Sequence, residues 1–456
     1  MTVILLALLL IGWGLIWYVA HDQAREAERS PWSKSLVLVG PEPEFTPRHA
    51  LVYRRLTTPD LPVQDPSRAQ FMAQLRTSEG GPEFIEALEL DYHEYVALLD
   101  LPPEQWATLL ESGRPPTPGT REVLRGPLAR FDLFRLDGEA FQVVGRLRRD
   151  LPGLGFGYLL PDDPRLKAAH FSGATVAHAW LLPEAERHVK EGKLKTVGRD
   201  APEILPPLAP APERDPRLTI AGLALMAIGG SGLQLMLMAK LSRRSVPLLG
   251  TALKEIAASP ALVTFFHVAY YGLFFAMMWM MISHPLWSLR LNAFLDQSFE
   301  TGMLAYVRES YVSGDVFQAA FATWAWNYGV ATLLLVYLPS LVPVLGAAFG
   351  LGKTALSFGM VGAGMSPLWY GMPETLIYHS GTMVLELEAY ILTAFIIVAF
   401  TAHIIRGIQT WRNGGAARTV HAFKLFAGGA LLAGLLLAFA GLYEAATIIA
   451  FSGLTP

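Results

Sequence analysis

The chain has 456 residues, is 52% hydrophobic and only 16% charged, and carries a formal net charge of −3. Soluble domains run near a quarter charged, so this balance points to lipid, and the near-neutral charge argues against nucleic acid as a partner. There is no cysteine, which excludes disulfides, thiolate metal sites and cysteine nucleophiles together.

Val3–Ala20 is an apolar run of about 18 residues, just enough to span a bilayer core. No basic segment precedes it, and Trp13, Trp17 and Tyr18 stand where a small-x-small cleavage site belongs, so residues 1–20 read as an uncleaved anchor. Residues 21–200 hold most of the charge and read as a water-facing α+β domain that opens on a Pro-bearing connector, 21–47. Glu83–Leu99 has helical spacing of its apolar residues. Phe131–Leu147 alternates apolar and polar residues on both sides of Asp137-Gly138, a dipeptide suited to a tight hairpin turn. Six prolines between Ala201 and Pro216 make 201–216 a semi-rigid spacer.

A second membrane helix is expected over 217–240, followed by spanning candidates at 262–283, 320–338, 341–362, 385–405 and 425–451. The fold class is therefore a membrane all-α bundle of about seven transmembrane helices with an inserted extracytoplasmic α+β domain. Lys353 interrupts the 341–362 candidate and either snorkels or sits in a polar cavity. Lys240, Arg243 and Arg244 follow one span, and Arg406, Arg412, Arg418 and Lys424 follow another. Basic loops stay in the cytoplasm, so alternation over seven crossings puts 21–216 outside the inner membrane; six crossings, or a re-entrant 341–362, break that agreement. Between the third and fourth spans, Leu291–Tyr306 has an amphipathic helical pattern, suited to the interface or to capping the bundle.

Ionisable groups inside a membrane are costly and are functional candidates by default. The densest group is Pro373–Ala389, with Glu374, His379, Glu386 and Glu388; Glu444 follows in the last helix. Glu386 and Glu388 diverge by about 200° on a helix and form no carboxylate pair. His379 and Glu386, two turns apart, share a face about 10 Å apart along the axis: they line one cavity without touching. That spacing gives no zinc motif, and no metal site, catalytic residue or cofactor is expected. Asn327 is expected to hydrogen-bond another helix, and Gly346/Gly350 forms a GxxxG packing pattern. Glu444 is expected to pair with Lys353 or to accept hydrogen bonds from a neighbouring helix. No phosphate-binding loop, GxSxG or HExxH is present.

Residues 262–452 resemble the stage II sporulation protein M family. The resemblance rests on Asn327, the Gly-rich Gly346–Gly364, the step from His379 and Gly381 into Glu386 and Ala389, and Glu444-Ala445 in the last helix. His379-Ser380-Gly381 departs from the direct His-Gly of that family, and the N-terminal anchor and soluble domain lie outside its usual architecture. The resemblance implies a membrane scaffold or subunit of a bacterial or archaeal envelope complex, without catalysis of its own, working with other membrane or envelope proteins. Leu136–Leu147 is similar to a segment of the extracytoplasmic domains of macrolide-exporter-type ABC permeases, which implies a permease partnered with a separate ATPase. An intramembrane enzyme using His379 and Glu386 is the third expectation.

Overall fold

The computed structural model describes residues 1–29, 36–39, 49–56, 87–88, 108–117, 119–126, 133–136, 139–148, 158–159, 174–182, 203–205, 216–244, 246–283, 291, 302, 304–365, 373–413 and 415–451. The chain forms two compact units: Met1–Asp22 joins Asp215–His284 and Ser288–Pro456 in one, and Gln23–Arg214 builds the other.

The described residues of the second unit form chiefly a β-sheet. Its strands are β1 (Leu36–Val39), β2 (His49–Leu56), β3 (Ala87–Leu88), β4 (Leu110–Gly113), β5 (Glu122–Arg125), β6 (Leu133–Leu136), β7 (Glu139–Leu147), β8 (Tyr158–Leu159), β9 (Ala174–Leu182) and β10 (Glu203–Leu205). Backbone pairing runs β10-β1-β9-β2-β3-β8-β5-β7-β4, with β6 on β7. The packed centre is the three-stranded group β4-β7-β5, where Leu109, Val123, Leu124, Phe141 and Leu147 are at most 1% exposed. β6 and β7 are antiparallel with Leu136 opposite Glu139, a register that leaves two residues for the turn expected at Asp137-Gly138. Within Glu83–Leu99, expected to be helical from its spacing, the described pair Ala87–Leu88 is a strand on β2 and β8 and not helix. Helical periodicity in a short apolar run is weak against sheet partners on both sides. The rest of 83–99 lies outside the described residues, as does most of Leu291–Tyr306.

The first unit is helical: α1 (Thr2–Arg29), α2 (Pro216–Leu241), α3 (Gly250–Ala258), α4 (Pro260–Ser283), α5 (Ala305–Val312), α6 (Val316–Ser340), α7 (Leu345–Gly364), α8 (Pro373–Gln409) and α9 (Gly415–Phe451). Among the described residues, six helices are long and apolar enough to cross a membrane: α1, α2, α4, α6, α8 and α9. α7, the 341–362 candidate, is not among the six; its 20 residues reach about 30 Å at 1.5 Å per residue. In α8 the most apolar window is 83% buried, against 17–50% in the other five, so α8 is the central helix. Phe265, Val268, Phe317, Phe321 and Phe439 are more than 60% exposed, apolar side chains on the outer faces of a bundle whose natural solvent is lipid.

Helix pairing follows from small residues. A Cβ on Gly12 would collide with the Gly222 carbonyl and one on Gly229 with the Leu5 carbonyl, so α1 and α2 run antiparallel in close contact. α4 and α7 run parallel, with Tyr270 against Phe358 and the Phe274 backbone against Gly362. α7 opposes α8 through Gly350 on Ile397 and Lys353 over Tyr390. α8 opposes α9 through Gly381–Tyr443, Ile396–Gly429 and His403–His421. α6 opposes α9 through Ala320–Gly441 and Tyr337–Phe426. Gly346 closes the α6–α7 hairpin, where any side chain would strike the Pro339 carbonyl. One end of the bundle thus gathers the end of α2, α3, the α6–α7 hairpin and the α8–α9 turn.

Candidate functional site

At the opposite end, a cavity of about 410 Å³ is lined by Leu304, Val307, Arg308, Tyr311, Thr323, Trp326, Asn327, His379, Glu386, Glu444 and Ile448. Four elements build it. α5 supplies Val307, Arg308 and Tyr311. α6 begins on Asp315, whose carboxylate accepts from the Phe317 and Gln318 amides, and brings Thr323, Trp326 and Asn327. From Ala325 to Tyr337 it widens to i→i+5 bonding, a rare geometry that recurs at functional sites. The Thr332 hydroxyl donates to the Asn327 carbonyl at 2.6 Å inside that widened stretch. α8 contributes His379 and Glu386 from one face, two turns apart, and α9 contributes Glu444.

The lining is tied together. The Tyr390 hydroxyl donates to Glu386 Oε1 at 3.0 Å. Lys353 lies within electrostatic reach of Glu386, as does Glu444. Of the two expectations for Glu444, pairing with Lys353 gives way to a hydrogen bond with Tyr311 of a neighbouring helix, and Lys353 stands with Glu386 instead. Tyr311 and Thr323 hydroxyls are 3.0 Å apart, and Glu444 stands beside Tyr311. Burial, then the Glu444 charge, push the Tyr311 hydroxyl above its ordinary range, so it stays a neutral donor. Trp324 Nε1 donates to the Gly434 carbonyl at 3.0 Å and locks α6 onto α9.

Glu388 is elsewhere. It points away from Glu386, as two-residue spacing on a helix requires. Fully buried, it meets His267 Nε2 of α4 at 3.0 and 3.2 Å. His267 was not expected from the sequence; the available signal was an ionisable residue within an apolar span. Glu374 falls in the first turn of α8, and its side chain lies outside the described residues. Of the seven residues singled out, the cavity therefore collects Asn327, His379, Glu386 and Glu444, with Lys353 behind Glu386 and Glu388 in a separate buried pair. Arg308 and Tyr311 complete the lining and were not among the candidates, because nothing local marks a short helix between spans.

Two carboxylates, an imidazole, a guanidinium, a phenol and a carboxamide on one cavity can hold a cation or a hydrogen-bonding solute and can pass protons. A lipid-facing carboxylate would cost at least ~2.5–3.5 kcal/mol, so facing a polar cavity with hydroxyl partners is what makes these positions tolerable. Comparison with protein-family models, with curated proteins and with solved structures finds no match.

Proposed function

We propose that this chain is a seven-crossing inner-membrane subunit of a bacterial or archaeal envelope complex, permease-like, whose working part is the polar cavity. Its occupant is a small cationic or hydrogen-bonding solute entering from the extracytoplasmic side. A separate ATPase or other envelope protein is the expected partner. The carrying observation is that Asn327, His379, Glu386 and Glu444, from three different helices, converge on one cavity. These are also the residues on which the resemblance to the stage II sporulation protein M family rests.

The crossing count is supported by alternation. Counting α7, the seven long helices reverse direction at each step, and α7 runs parallel to α4 as a fifth crossing would beside a third. The basic residues Lys240, Arg243, Arg244, Arg406, Arg412, Arg418 and Lys424 then fall at one end, the cytoplasmic one, and the cavity at the other. On this reading 21–216 lies on the extracytoplasmic side.

A scaffold needs no such cavity, and that difference is the test. Glu386→Gln and Glu444→Gln keep hydrogen-bonding capacity and shape but can neither ionise nor pass a proton. Both should accumulate in the membrane at wild-type levels yet fail to restore what a deletion of the gene removes. Full complementation by both amide variants would support the scaffold and sink the solute-binding role.

A further inference from the structure

At the basic end of the bundle, three side chains from three helices converge: Glu255 of α3, His403 of α8 and His421 of α9. His403 Nε2 is 3.2 Å from Glu255 Oε1, and His421 Nε2 is 3.5 Å from Glu255 Oε2. One ligand atom from each lies within 4.8 Å of the others, and the two imidazoles meet edge to face with centroids 4.9 Å apart. We propose that Glu255, His403 and His421 form a binding site for a first-row divalent metal ion of the Zn²⁺ class.

The geometry fits. Bonds of about 2.0–2.1 Å in a tetrahedron put neighbouring ligand atoms about 3.3 Å apart, close to the 3.2 and 3.5 Å that separate the two imidazoles from the carboxylate, each from a different oxygen. With one ligand atom from each residue already within 4.8 Å of the others, side-chain adjustments bring all three onto one ion. The donor set, two imidazole nitrogens and one carboxylate, selects a borderline ion such as Zn²⁺ over Mg²⁺ or Ca²⁺, which take oxygen ligands. The carboxylate between the rings also argues against an anion, which it would repel. His421 is 44% exposed and the other two a little over 20%, so an ion has an entry path and room for water as a fourth ligand. The position is one where an ion has structural work: α3 is a nine-residue helix outside the spans, packed on α9 through Ala252 and Gly428, and the metal would fasten it to the α8–α9 hairpin. This site is separate from the cavity and stands independently of the role proposed for it.

The test uses the full-length protein purified in detergent, stripped with a chelator, and titrated with Zn²⁺, with Co²⁺ as the coloured probe. The expected result is one ion per chain at micromolar or tighter affinity, with the visible Co²⁺ bands of a low-coordinate nitrogen–oxygen site. His421→Ala, the least buried ligand, and Glu255→Gln, which keeps a hydrogen-bonding group between the rings, should each weaken binding at least tenfold. Each should also abolish the rise in melting temperature that Zn²⁺ gives the wild type. His21→Ala, which removes an exposed histidine of α1, should bind as the wild type does. Absence of stoichiometric binding, or wild-type affinity in both ligand variants, would overturn the proposal and leave a hydrogen-bonded His–Glu–His cluster.

Discussion

His267 Nδ1 sits 2.8 Å from the Val263 carbonyl, an acceptor only, so Nδ1 carries the proton. The single proton between Nε2 and Glu388 then makes the pair either imidazolium–carboxylate or imidazole–carboxylic acid, both satisfied. Glu388→Gln can donate its amide to Nε2 and should preserve the fold. Glu388→Ala removes one partner of a buried pair and should destabilise the bundle by about 3–5 kcal/mol, seen as lost membrane abundance and a lower melting temperature in detergent. In the sheet, Arg114 holds Glu122 with 2.5 and 2.7 Å contacts, and the Thr117 amide adds a third at 2.8 Å. The Arg114 hydrogen bond, then that of Thr117, lower the Glu122 carboxyl from 4.5 to about 2. A lowered carboxyl contributes above its ordinary value and loses the contribution as pH falls through its folded one, so the turn should loosen between about pH 4.5 and 2. Hydrogen exchange over 114–122 should be faster in Glu122→Gln than in the wild type at pH 7, with the difference narrowing toward pH 2. At this scale the sequence made legible what spacing controls: the divergence of Glu386 from Glu388 and the shared face of His379 and Glu386. His267 meets Glu388 across 121 positions, and no local pattern marks such a contact.

The helices were legible as elements because apolar runs of about 20 residues have few other fates. Their ends were not: α8 extends back to Pro373 and on to Gln409, well past the expected 385–405, because a helix does not stop where its apolar run does. Glycine spacing marked Gly346 and Gly350 as packing positions but not their partners, Pro339 for one and Val336 with Ile397 for the other. Gly362 is the sharper test of packing, since a Cβ there meets the Phe274 backbone, which has no rotamer to yield. Gly362→Leu should separate α4 from α7 at a cost of about 1–3 kcal/mol or more and lower membrane abundance. Gly352, with open space around its Cβ position, should accept Ala without loss. The strand at Ala87–Leu88 shows the converse: a helical periodicity over one short run is overridden by backbone partners that only the folded sheet supplies. The Glu255–His403–His421 cluster was half legible. His403 and His421 are near-symmetric about the α8–α9 turn and must meet in an antiparallel hairpin, whereas Glu255 arrives from a helix nearly 150 positions earlier.

Across the whole molecule, the charge asymmetry, the alternation of helix direction and the position of the cavity support the proposed arrangement, with the basic loops on one side of the membrane and the polar cavity facing the other. The absence of cysteine makes this directly measurable, because any single cysteine introduced is the only one in the chain. The decisive measurement is labelling by a small membrane-impermeant thiol reagent, in intact and in permeabilised cells, of Asn327→Cys in the cavity and Ser242→Cys in the first basic loop. Leu334→Cys on the outer face of α6 serves as the lipid-facing reference. The account predicts that Asn327→Cys reacts in intact cells, Ser242→Cys only after permeabilisation, and Leu334→Cys in neither. Reaction of Ser242→Cys in intact cells, or an Asn327→Cys as inert as Leu334→Cys, would contradict it.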